Sequence, residues 1–242
     1  MNPVLNQNKS SWDAMADTWF GSTALPVYGC LAPTEDELHL FPDLSGKKVL
    51  DIGCGSGHSL CWCGQKGAAE LWGLDLSEKQ ISNAQSYLTE NGYHPRLYNA
   101  PMEQECGLPK EYFDVVYSIY AIGWTTDLKA AFCNIASYLK PGGVFIFSWD
   151  HPLMSCVDVI DDKLVFSGSY IKDEAFSYIQ RGQPVTVQNR RMSAYINEMC
   201  IRDRYTVRFA PVRQMLFYLQ AVSFQEIQKV TALLSLGPRG LT

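Results

Sequence analysis

"VLDIGCGSGHS", residues 49–59, is the stretch that decides the fold of this chain. An apolar run holds one acid, Asp51, and leads into three glycines, Gly53, Gly55 and Gly57. Strands buried in parallel sheets are mostly apolar, and glycine accepts the positive φ angles of a sharp turn. The stretch therefore predicts a buried strand that turns into a helix around a bound molecule, with any anionic part of that molecule favoured at the helix N-terminus.

Strand and helix signals alternate from residue 47 to about residue 149. Apolar β-rich runs predict strands within "KKVLDIG", "AELWGLDL", "PRLYNA", "FDVVYSIYA" and "VFIFSW". Helical periodicity predicts helices within "GHSLCWCGQKG", "SEKQISNAQSYLTENG" and "TDLKAAFCNIASYLKPGG". Ser77 and Gln80 are spaced as a capping box for the second of these helices. The alternation predicts an α/β fold, a Rossmann-like doubly wound, mostly parallel sheet with helices on both faces.

The segments around this α/β unit have other patterns. We expect residues 1–44 to form an N-terminal helical arm and residues 45–198 to form the main domain. Residues 150–190 hold short β-like runs and turn residues, which predict a small β-rich insertion after the fifth strand, placed to cover the ligand cleft. The stretch "MSAYINEM" predicts the next helix, with Ser193 as its N-cap.

Residues 199–242 differ from the rest of the chain in charge. They hold six basic and two acidic residues, whereas residues 1–198 hold 14 basic and 23 acidic residues. The junction "MCIRDR", residues 199–204, is also the in-frame translation of a transposon-based sequencing adapter. Two interpretations stay open: a non-native or chimeric segment beyond Glu198, or a native strand at "RYTVRF" followed by a terminal helix.

Composition limits the class of protein. The formal net charge of the 242 residues is −5, which argues against nucleic-acid binding because phosphate contacts need a basic face. No apolar run approaches the roughly 20 residues of a membrane span, and the N-terminus lacks the apolar block of a signal peptide. Cys61 and Cys63 do not have the spacing of a metal or redox motif. We therefore expect a cytoplasmic protein with reduced thiols, no metal and no nucleic-acid partner.

A second acid follows at the distance of one crossover helix. Asp75 ends the strand in "WGLDLS", 20 residues after Gly55. An acid at this position accepts hydrogen bonds from ribose hydroxyls. The glycine spacing is G-C-G-S-G rather than G-x-G-x-x-G, so the dinucleotide fingerprint is not met. The two acids and the glycine loop together indicate a nucleoside-containing ligand.

Four motifs in order, "VLDIGCGSG", "GLDLS", "FDVVYS" and "LKPGGVFIFS", resemble the successive motifs of the class I S-adenosylmethionine-dependent methyltransferases. The resemblance covers residues 45–150, with "MSAYI" as a weaker extension, and is greatest to the bacterial group of small-molecule and ubiquinone/menaquinone C-methyltransferases. It implies an enzyme that binds S-adenosylmethionine and transfers its methyl group to a small-molecule acceptor.

The resemblance also implies a set of cofactor-binding residues. Asp51 and the loop of Gly53, Cys54 and Gly55 would hold the methionine part. Asp75 would bind the ribose hydroxyls, and Leu76 would pack on the adenine.

Three further positions carry roles implied by the resemblance. Met102 would offer its backbone N–H to the adenine ring, and Ser118 would lie beneath the methionine amino group. The family often has an acid where this chain has Pro101, and Glu103 would be its substitute.

A general base is required when the acceptor must lose a proton before or during transfer. His151 is the candidate, because it follows the fifth strand and an unperturbed histidine titrates near neutral pH. The alternative is a histidine that shapes the turn before Pro152. Tyr120 and Trp124 are candidates for the acceptor pocket wall, with aromatic core packing as the alternative, and His58 is expected at a helix start rather than as a base.

The arm before the first strand is rich in aromatic residues. Trp19 and Tyr28 are candidates for a lid that closes over the cofactor and excludes water, and packing on the sheet edge is the alternative. Two other functions also stay open, a nicotinamide-dependent oxidoreductase on a similar sheet and a non-catalytic protein that binds S-adenosylmethionine.

Overall fold

The computed structural model describes residues 2–29, 32–161, 163–198 and 206–212 of the chain. The helices are α1 (Pro3–Met15), α2 (Glu35–Leu38), α3 (His58–Gln65), α4 (Glu78–Glu90), α5 (Leu128–Tyr138) and α6 (Met192–Asn197). Short 3₁₀ turns cover Ala16–Trp19, Ile122–Trp124 and Pro152–Cys156. The strands are β1 (Lys48–Ile52), β2 (Glu70–Asp75), β3 (Arg96–Asn99), β4 (Phe113–Ile119), β5 (Leu139–Asp150), β6 (Val157–Ile160), β7 (Lys163–Phe166), β8 (Ala175–Gln180), β9 (Gln183–Gln188) and β10 (Thr206–Val212).

Six strands form one sheet in the order β10-β5-β4-β1-β2-β3, and every neighbouring pair is parallel. The order runs outward in both directions from the β4–β1 boundary, which makes this boundary the point where the strand order reverses. Ligands of open α/β sheets bind beside the carboxyl ends of the strands at such a point. The expected doubly wound parallel fold is confirmed.

Two apolar clusters cover the two faces of the sheet. One holds Phe145 and Phe147 of β5 with Phe132 of α5. The other holds Ile146 of β5 with residues of α3 and α4, among them Leu60. Alternate residues of a strand point to opposite faces, so the split of successive β5 residues between the clusters shows that both faces are buried.

The structure corrects the predicted boundary between α5 and β5. The helix ends at Tyr138, and Leu139 has an extended backbone (φ −71°, ψ 138°) and pairs with Phe113. Pro141 disfavours helical geometry at the residue before it and cannot continue the ladder of helical hydrogen bonds. The "LKPGG" stretch therefore lies at the start of the strand, where a register shift in the pairing with β4 accommodates it.

Two predicted caps differ from the expectation. Ser77 Oγ accepts from Gln80 N at 3.1 Å, but the Gln80 side chain does not complete the capping box, because Ser77 N donates to Asp75 instead. The N-cap of α6 is Arg191, without a side-chain cap bond, and Ser193 lies inside the helix.

The β-rich insertion consists of two antiparallel hairpins, β6–β7 and β8–β9. The second hairpin packs against α1, so it joins the N-terminal arm rather than standing alone. In the tail, β10 pairs with β5 at the sheet edge and includes most of the predicted "RYTVRF" strand. The predicted terminal helix lies outside the described residues.

Cys133 is disulfide-bonded, which corrects the expectation of reduced thiols at that position. Cys54, Cys61, Cys63 and Cys156 are free and buried. Within the described ranges, no helix is long and apolar enough to cross a bilayer, and no cluster of three or more metal-ligating side chains is found.

Candidate functional site

A cavity lies at the carboxyl ends of β1, β2 and β4, where the sheet order predicts a ligand. It holds about 1110 Å³ of space between atoms, with the open solvent at its mouth included. Its walls come from the glycine loop, the turns after β2, β3 and β4, the N-terminal arm and the tip of the β8–β9 hairpin. The arm is held to the loop by hydrogen bonds from Gly21 N to Ser56 Oγ and from Leu25 N to Ser59 Oγ.

The backbone amides of Gly53, Cys54 and Gly55 in the glycine loop all have acceptors within the protein. Gly53 N and Cys54 N both donate to Leu74 O, and Gly55 N donates to Asp75 Oδ2 at 2.9 Å. The N–H groups are therefore engaged within the protein. Cys54 O accepts from Gly57 N at 3.0 Å, so this carbonyl is engaged as well. Because the three amides already have acceptors, they offer no free donor to an anionic group of a ligand.

Gly53 and Gly55 of the loop share a positive φ angle but differ in their surroundings. Both have positive φ, +78° at Gly53 and +50° at Gly55. A Cβ on Gly53 would lie 2.3 Å from the Cβ of Ala121, so this glycine permits close packing of the turn after β4. A Cβ on Gly55 would meet nothing within 4 Å, because this residue faces open space.

Asp51 is a buried carboxylate in the cavity wall, with 2% of its surface exposed. Its Oδ1 atom has no hydrogen-bond partner among the described residues. Burial and the nearby charge of Asp75 raise the pKa of Asp51 well above its usual value, while a hydrogen bond from Tyr117 opposes the shift. A positively charged ligand would supply the missing partner and favour the ionised form.

Asp75 lies across the loop from Asp51, at the end of β2. It accepts hydrogen bonds from Gly55 N and Ser77 N, each at 2.9 Å. Burial raises the pKa of Asp75 to about 6, and these backbone donors limit the increase. A carboxylate has about four acceptor positions, so two donors leave capacity for the hydroxyl groups of a ligand.

Other cavity residues also hold buried polar atoms that lack a partner among the described residues. These atoms are Trp19 Nε1, Gln80 Oε1 and Gln180 Oε1. Buried polar groups in proteins are nearly always hydrogen-bonded, so several such atoms around one cavity indicate a polar ligand. Gln80 and Gln180 were not foreseen from the sequence, because Gln80 is placed as a capping-box residue and Gln180 lies in an insertion hairpin far away in the chain.

The turn after β3 lines the opposite wall through Ala100, Pro101, Met102 and Glu103. Met102 O accepts from Asn134 Nδ2 at 3.1 Å, which fixes the turn on α5. Glu103 Oε1 accepts from both the backbone N and the hydroxyl of Thr126, so this oxygen is engaged in holding the turn after β4. Leu76 lines the cavity beside Asp75, as its predicted role requires.

Two predicted cofactor residues lie outside the cavity lining. Ser118 is fully buried, and its hydroxyl donates to Ile52 O at 2.8 Å, which joins β4 to β1. Tyr28 is also fully buried, and its hydroxyl donates to Glu35. The expectation that Tyr28 belongs to a lid is therefore corrected: it anchors the arm in the core, whereas Trp19 lines the cavity.

The structure does not place His151 in the cavity. Its Nδ1 accepts from Leu153 N at 3.2 Å and so caps the 3₁₀ turn that follows β5. Burial lowers the pKa of His151. This placement corrects the candidate base and corresponds to the alternative of a turn-shaping residue.

His58 lines the cavity but begins α3, as expected. Its ring stacks on Tyr87 with 3.9 Å between centroids, and its Nδ1 lies 3.0 Å from Ser56 Oγ. Burial lowers the pKa of His58, so the ring is neutral near pH 7.

Aromatic side chains form the wall nearest to the β4 turn and the arm. Trp124 and Tyr120 line the cavity after β4, and Trp12 and Trp19 line it from the arm. The ring centroids of Trp12 and Trp124 are 5.2 Å apart with perpendicular planes, and those of Trp12 and Trp19 are 6.0 Å apart. Tyr120 has a positive φ of +55°, and its hydroxyl donates to Asp150 Oδ2 at 2.7 Å.

Comparison with known sequences finds a match of residues 50–147 to the family model described as "Methyltransferase domain". An uncharacterized protein of Haemophilus influenzae is 38% identical over 122 residues, covering 49% of this chain and 48% of that protein. A ubiquinone biosynthesis O-methyltransferase of Stutzerimonas stutzeri is 34% identical over 150 residues, covering 61% of this chain and 64% of that protein. A sterol 24-C-methyltransferase of Gibberella zeae is 33% identical over 127 residues, covering 51% of this chain and 33% of that protein. The chain thus spans between a third and two thirds of the length of these relatives.

A solved structure with the same fold is that of an S-adenosylmethionine-dependent methyltransferase from Mesorhizobium loti. It superposes with a TM-score of 0.57, covers 66% of this chain and 75% of that chain, and is 24% identical in sequence. The similarity extends the fold assignment beyond the matched domain to about two thirds of the chain.

Proposed function

We propose that this chain, whose residues 50–147 match the family model described as "Methyltransferase domain", is a class I S-adenosylmethionine-dependent methyltransferase that transfers a methyl group to a small-molecule acceptor. The observation that carries the proposal is the buried Oδ1 of Asp51, which has no partner among the described residues, with a second carboxylate, Asp75, one crossover away.

The residues of the cavity fit the chemistry of this cofactor. S-adenosylmethionine carries positive charge on its sulfur and amino group and negative charge on its carboxylate, and it has ribose hydroxyls that donate hydrogen bonds. Asp51 and the backbone of the loop at Gly53–Gly55 would hold the charged methionine part. Asp75 would accept from the ribose hydroxyls, and Leu76 and Met102 would contact the adenine.

The bound cofactor supplies an electrophilic methyl group, and the protein supplies orientation and the exclusion of water. Holding two reactants in line is worth up to about 7–11 kcal/mol of the barrier in well-oriented systems. Trp19 of the arm and Gln180 of the hairpin both line the cavity, and this part of its wall would keep water from the reacting atoms. No role in proton transfer is assigned to His151, because it lies outside the cavity lining.

The names of the relatives support a small organic acceptor. Ubiquinone biosynthesis O-methyltransferases and sterol 24-C-methyltransferases are among the proteins that match this chain. The first name denotes methylation of oxygen and the second of carbon, so the relatives leave the methylated atom open.

Calorimetric titration of the intact chain with S-adenosylmethionine, S-adenosylhomocysteine and NAD tests the proposal. We expect the first two compounds to bind and NAD not to bind. Asp51→Asn should weaken the binding of S-adenosylmethionine at least tenfold, since a hydrogen bond to a charged group contributes about 1.5–3 kcal/mol. The control is Asp114→Asn, which removes a carboxylate that pairs with Lys140 outside the cavity.

Incubation of the same preparation with S-adenosylmethionine and a panel of phenols, amines and activated carbon acids, with mass detection, tests transfer. A mass increase of one methyl group in any acceptor supports the proposal. Binding of NAD in place of S-adenosylmethionine would refute it, and cofactor binding without methylation of any panel member would favour the non-catalytic alternative.

A further inference from the structure

We propose that the Tyr120 hydroxyl, oriented by Asp150, takes the proton that the acceptor loses, and that the methylated atom is an oxygen or a nitrogen rather than a carbon. The inference rests on the proposed function, because it names the group that receives the proton in the same transfer and the class of the acceptor atom. The two residues are called the tyrosine–aspartate pair below.

The tyrosine–aspartate pair joins the cavity wall to the end of β5. Tyr120 follows β4 and lines the cavity, and Asp150 is the last residue of β5. The residue after Tyr120 lies against the glycine loop, since a Cβ on Gly53 would be 2.3 Å from the Cβ of Ala121. The turn that carries Tyr120 therefore borders the loop at which the methionine part and its methyl group would lie.

The hydrogen bond within the pair decides what the Tyr120 hydroxyl can offer to a ligand. Tyr120 Oη donates to Asp150 Oδ2 at 2.7 Å. A phenol has a single O–H, so a tyrosine whose proton is held by a carboxylate presents only lone pairs to a further partner. A ligand group that meets this oxygen must therefore donate a hydrogen bond. A hydroxyl or an amine does so well, whereas C–H groups are weak donors.

The backbone of Tyr120 is held in a strained conformation. Its φ angle is +55°, which is rare for a bulky residue other than glycine. Its N–H donates to Ser148 O at 3.1 Å and to Ser148 Oγ at 2.9 Å. Strain of this kind concentrates at functional sites, where the surrounding structure must maintain it. Because Ser148 and Asp150 both belong to β5, one strand fixes the backbone and the hydroxyl of Tyr120 together.

Charged and titratable groups near the pair come from α6 and the segment before it. Burial raises the pKa of Tyr195 to about 12, and the charge of Asp150 adds to the increase while Arg190 opposes it. Asp150 and Arg190 thus both act on the same side chain. A cation in this group favours the ionised form of Asp150, which is the form that can take a proton.

The proposed step balances in bonds and protons. The acceptor atom forms a bond to the methyl carbon while the bond between this carbon and sulfur breaks, and the electron pair of that bond stays on sulfur. The acceptor proton passes to Tyr120 Oη, and the Tyr120 proton passes to Asp150 Oδ2. Asp150 ends the step as a neutral carboxyl group and then releases its proton to water. Proton transfer to a positioned side chain contributes about 10²–10⁴-fold to a rate.

The first test uses the intact chain saturated with S-adenosylhomocysteine and titrated calorimetrically with 4-hydroxybenzamide and with its methyl ether, 4-methoxybenzamide. Only the first probe can donate a hydrogen bond from the oxygen on its ring. We expect Tyr120→Phe to weaken the binding of 4-hydroxybenzamide at least fivefold and to change that of the ether less than twofold. The Kd of S-adenosylhomocysteine should change less than threefold.

The second test measures single-turnover methylation of 4-hydroxybenzamide by mass detection at a series of pH values. Asp150→Asn keeps an oxygen that can accept from Tyr120 but cannot take its proton. We expect this variant to bind 4-hydroxybenzamide within threefold of the unmodified chain and to methylate it at least a hundredfold more slowly at pH 7. Its rate should recover as the pH approaches about 10, the usual pKa of a phenol, since a phenolate needs no base.

Tyr112→Phe is the matched control, because Tyr112 also donates to a carboxylate, that of Glu70, and lies outside the cavity lining. It should leave the binding and the methylation of 4-hydroxybenzamide unchanged. A change as large as that in Tyr120→Phe would show that the loss of any tyrosine hydroxyl has this effect, and would overturn the inference.

Four other outcomes would also overturn the inference. They are an equal effect of Tyr120→Phe on the two probes, absence of binding or methylation of 4-hydroxybenzamide, an undiminished rate of Asp150→Asn at pH 7, and a rate of this variant that stays low at pH 10. The initial saturation with S-adenosylhomocysteine reports separately on the proposed function, since a failure there precedes any addition of probe.

Discussion

At the scale of single residues, the site is dominated by two carboxylates that the fold buries close to each other. Asp51 and Asp75 both have a raised pKa, with burial as the largest cause. Their mutual repulsion and their burial are unfavourable for folding. Ionisable groups with strongly shifted pKa values concentrate at binding and catalytic sites. A ligand that brings positive charge and hydroxyl donors relieves both costs.

The pKa of about 6 at Asp75 predicts a pH dependence of binding. Below pH 6 the protonated carboxyl cannot accept from two ribose hydroxyls as well as from Gly55 N and Ser77 N. We expect the Kd of S-adenosylhomocysteine to increase between pH 7.5 and pH 5, by at most about tenfold per pH unit for one proton. Calorimetric titration at a series of pH values measures this dependence.

Asp75→Asn is the control for that dependence. The variant should bind more weakly at pH 7.5 and show a shallower change with pH, and an unchanged pH profile would contradict the role of Asp75. The pH dependence of folding stability due to Asp75 has the opposite sign to that of ligand binding. Because the folded-state pKa exceeds the usual 3.8, the contribution of Asp75 to stability is most favourable below that value and is lost as the pH rises through about 6.

At the scale of elements, the cover of the cavity is a contact between α1 and the β8–β9 hairpin. Asn8 is 1% exposed, and its side chain makes two hydrogen bonds with the backbone of Thr186, to its O at 2.8 Å and from its N at 2.9 Å. Ser11 Oγ also donates to Pro184 O. These bonds join the hairpin to the arm, so the two segments that reach the cavity are held to each other.

Asn8→Ala should weaken this coupling strongly, since it leaves the N and O of Thr186 buried without partners. Each unsatisfied buried group costs about 1–3 kcal/mol, and we expect a loss of about 2–3 kcal/mol in the free energy of unfolding. Urea unfolding monitored by circular dichroism measures the loss, and hydrogen exchange should show faster exchange at residues 183–188.

Gln7→Ala is the neighbouring control for Asn8→Ala. Gln7 Nε2 reaches the hydroxyl of Thr186 at a partly buried position, so its removal should cost less than about 1 kcal/mol. Equal losses in the two variants would show that the arm, rather than the two backbone bonds of Asn8, determines the stability of the contact.

At the scale of the whole molecule, the cavity is assembled from distant parts of the chain. The arm supplies Trp12 and Trp19, the strand ends supply Asp51 and Asp75, and the hairpin supplies Gln180. Ligand binding should therefore stabilise all three regions together, as expected when a ligand binds only the folded state.

β10 pairs with β5 at the sheet edge and supplies no residue of the described cavity lining, so we expect removal of this strand to change cofactor binding little. A chain that ends at Glu198 should bind S-adenosylhomocysteine with a Kd within about threefold of the full chain, since threefold is less than 1 kcal/mol. Calorimetric titration of both chains measures this difference. A much larger loss would show that the tail, native or chimeric, is required for the site.

Much of the fold follows from local patterns. The apolar runs of β1, β2 and β4 and the periodicity of α4 mark their elements, and Asp51, Asp75 and the glycines between them mark the end of the sheet where the cavity lies. The boundary of α5 could not be placed in this way, because Leu139 satisfies the apolar stripe of a helix and also pairs with Phe113 of β4.

The sequence by itself determined the parallel α/β sheet and the positions of Asp51 and Asp75 at the carboxyl ends of β1 and β2, because these depend on strand periodicity and on turns of a few residues. Only the tertiary structure decided which distant side chains meet there. It placed Trp12, Gln80 and Gln180 in the cavity and left Tyr28, Ser118 and His151 outside it. The physical reason is that a side chain's direction at the end of an element depends on packing between elements remote in sequence, and adjacent residues do not encode that packing.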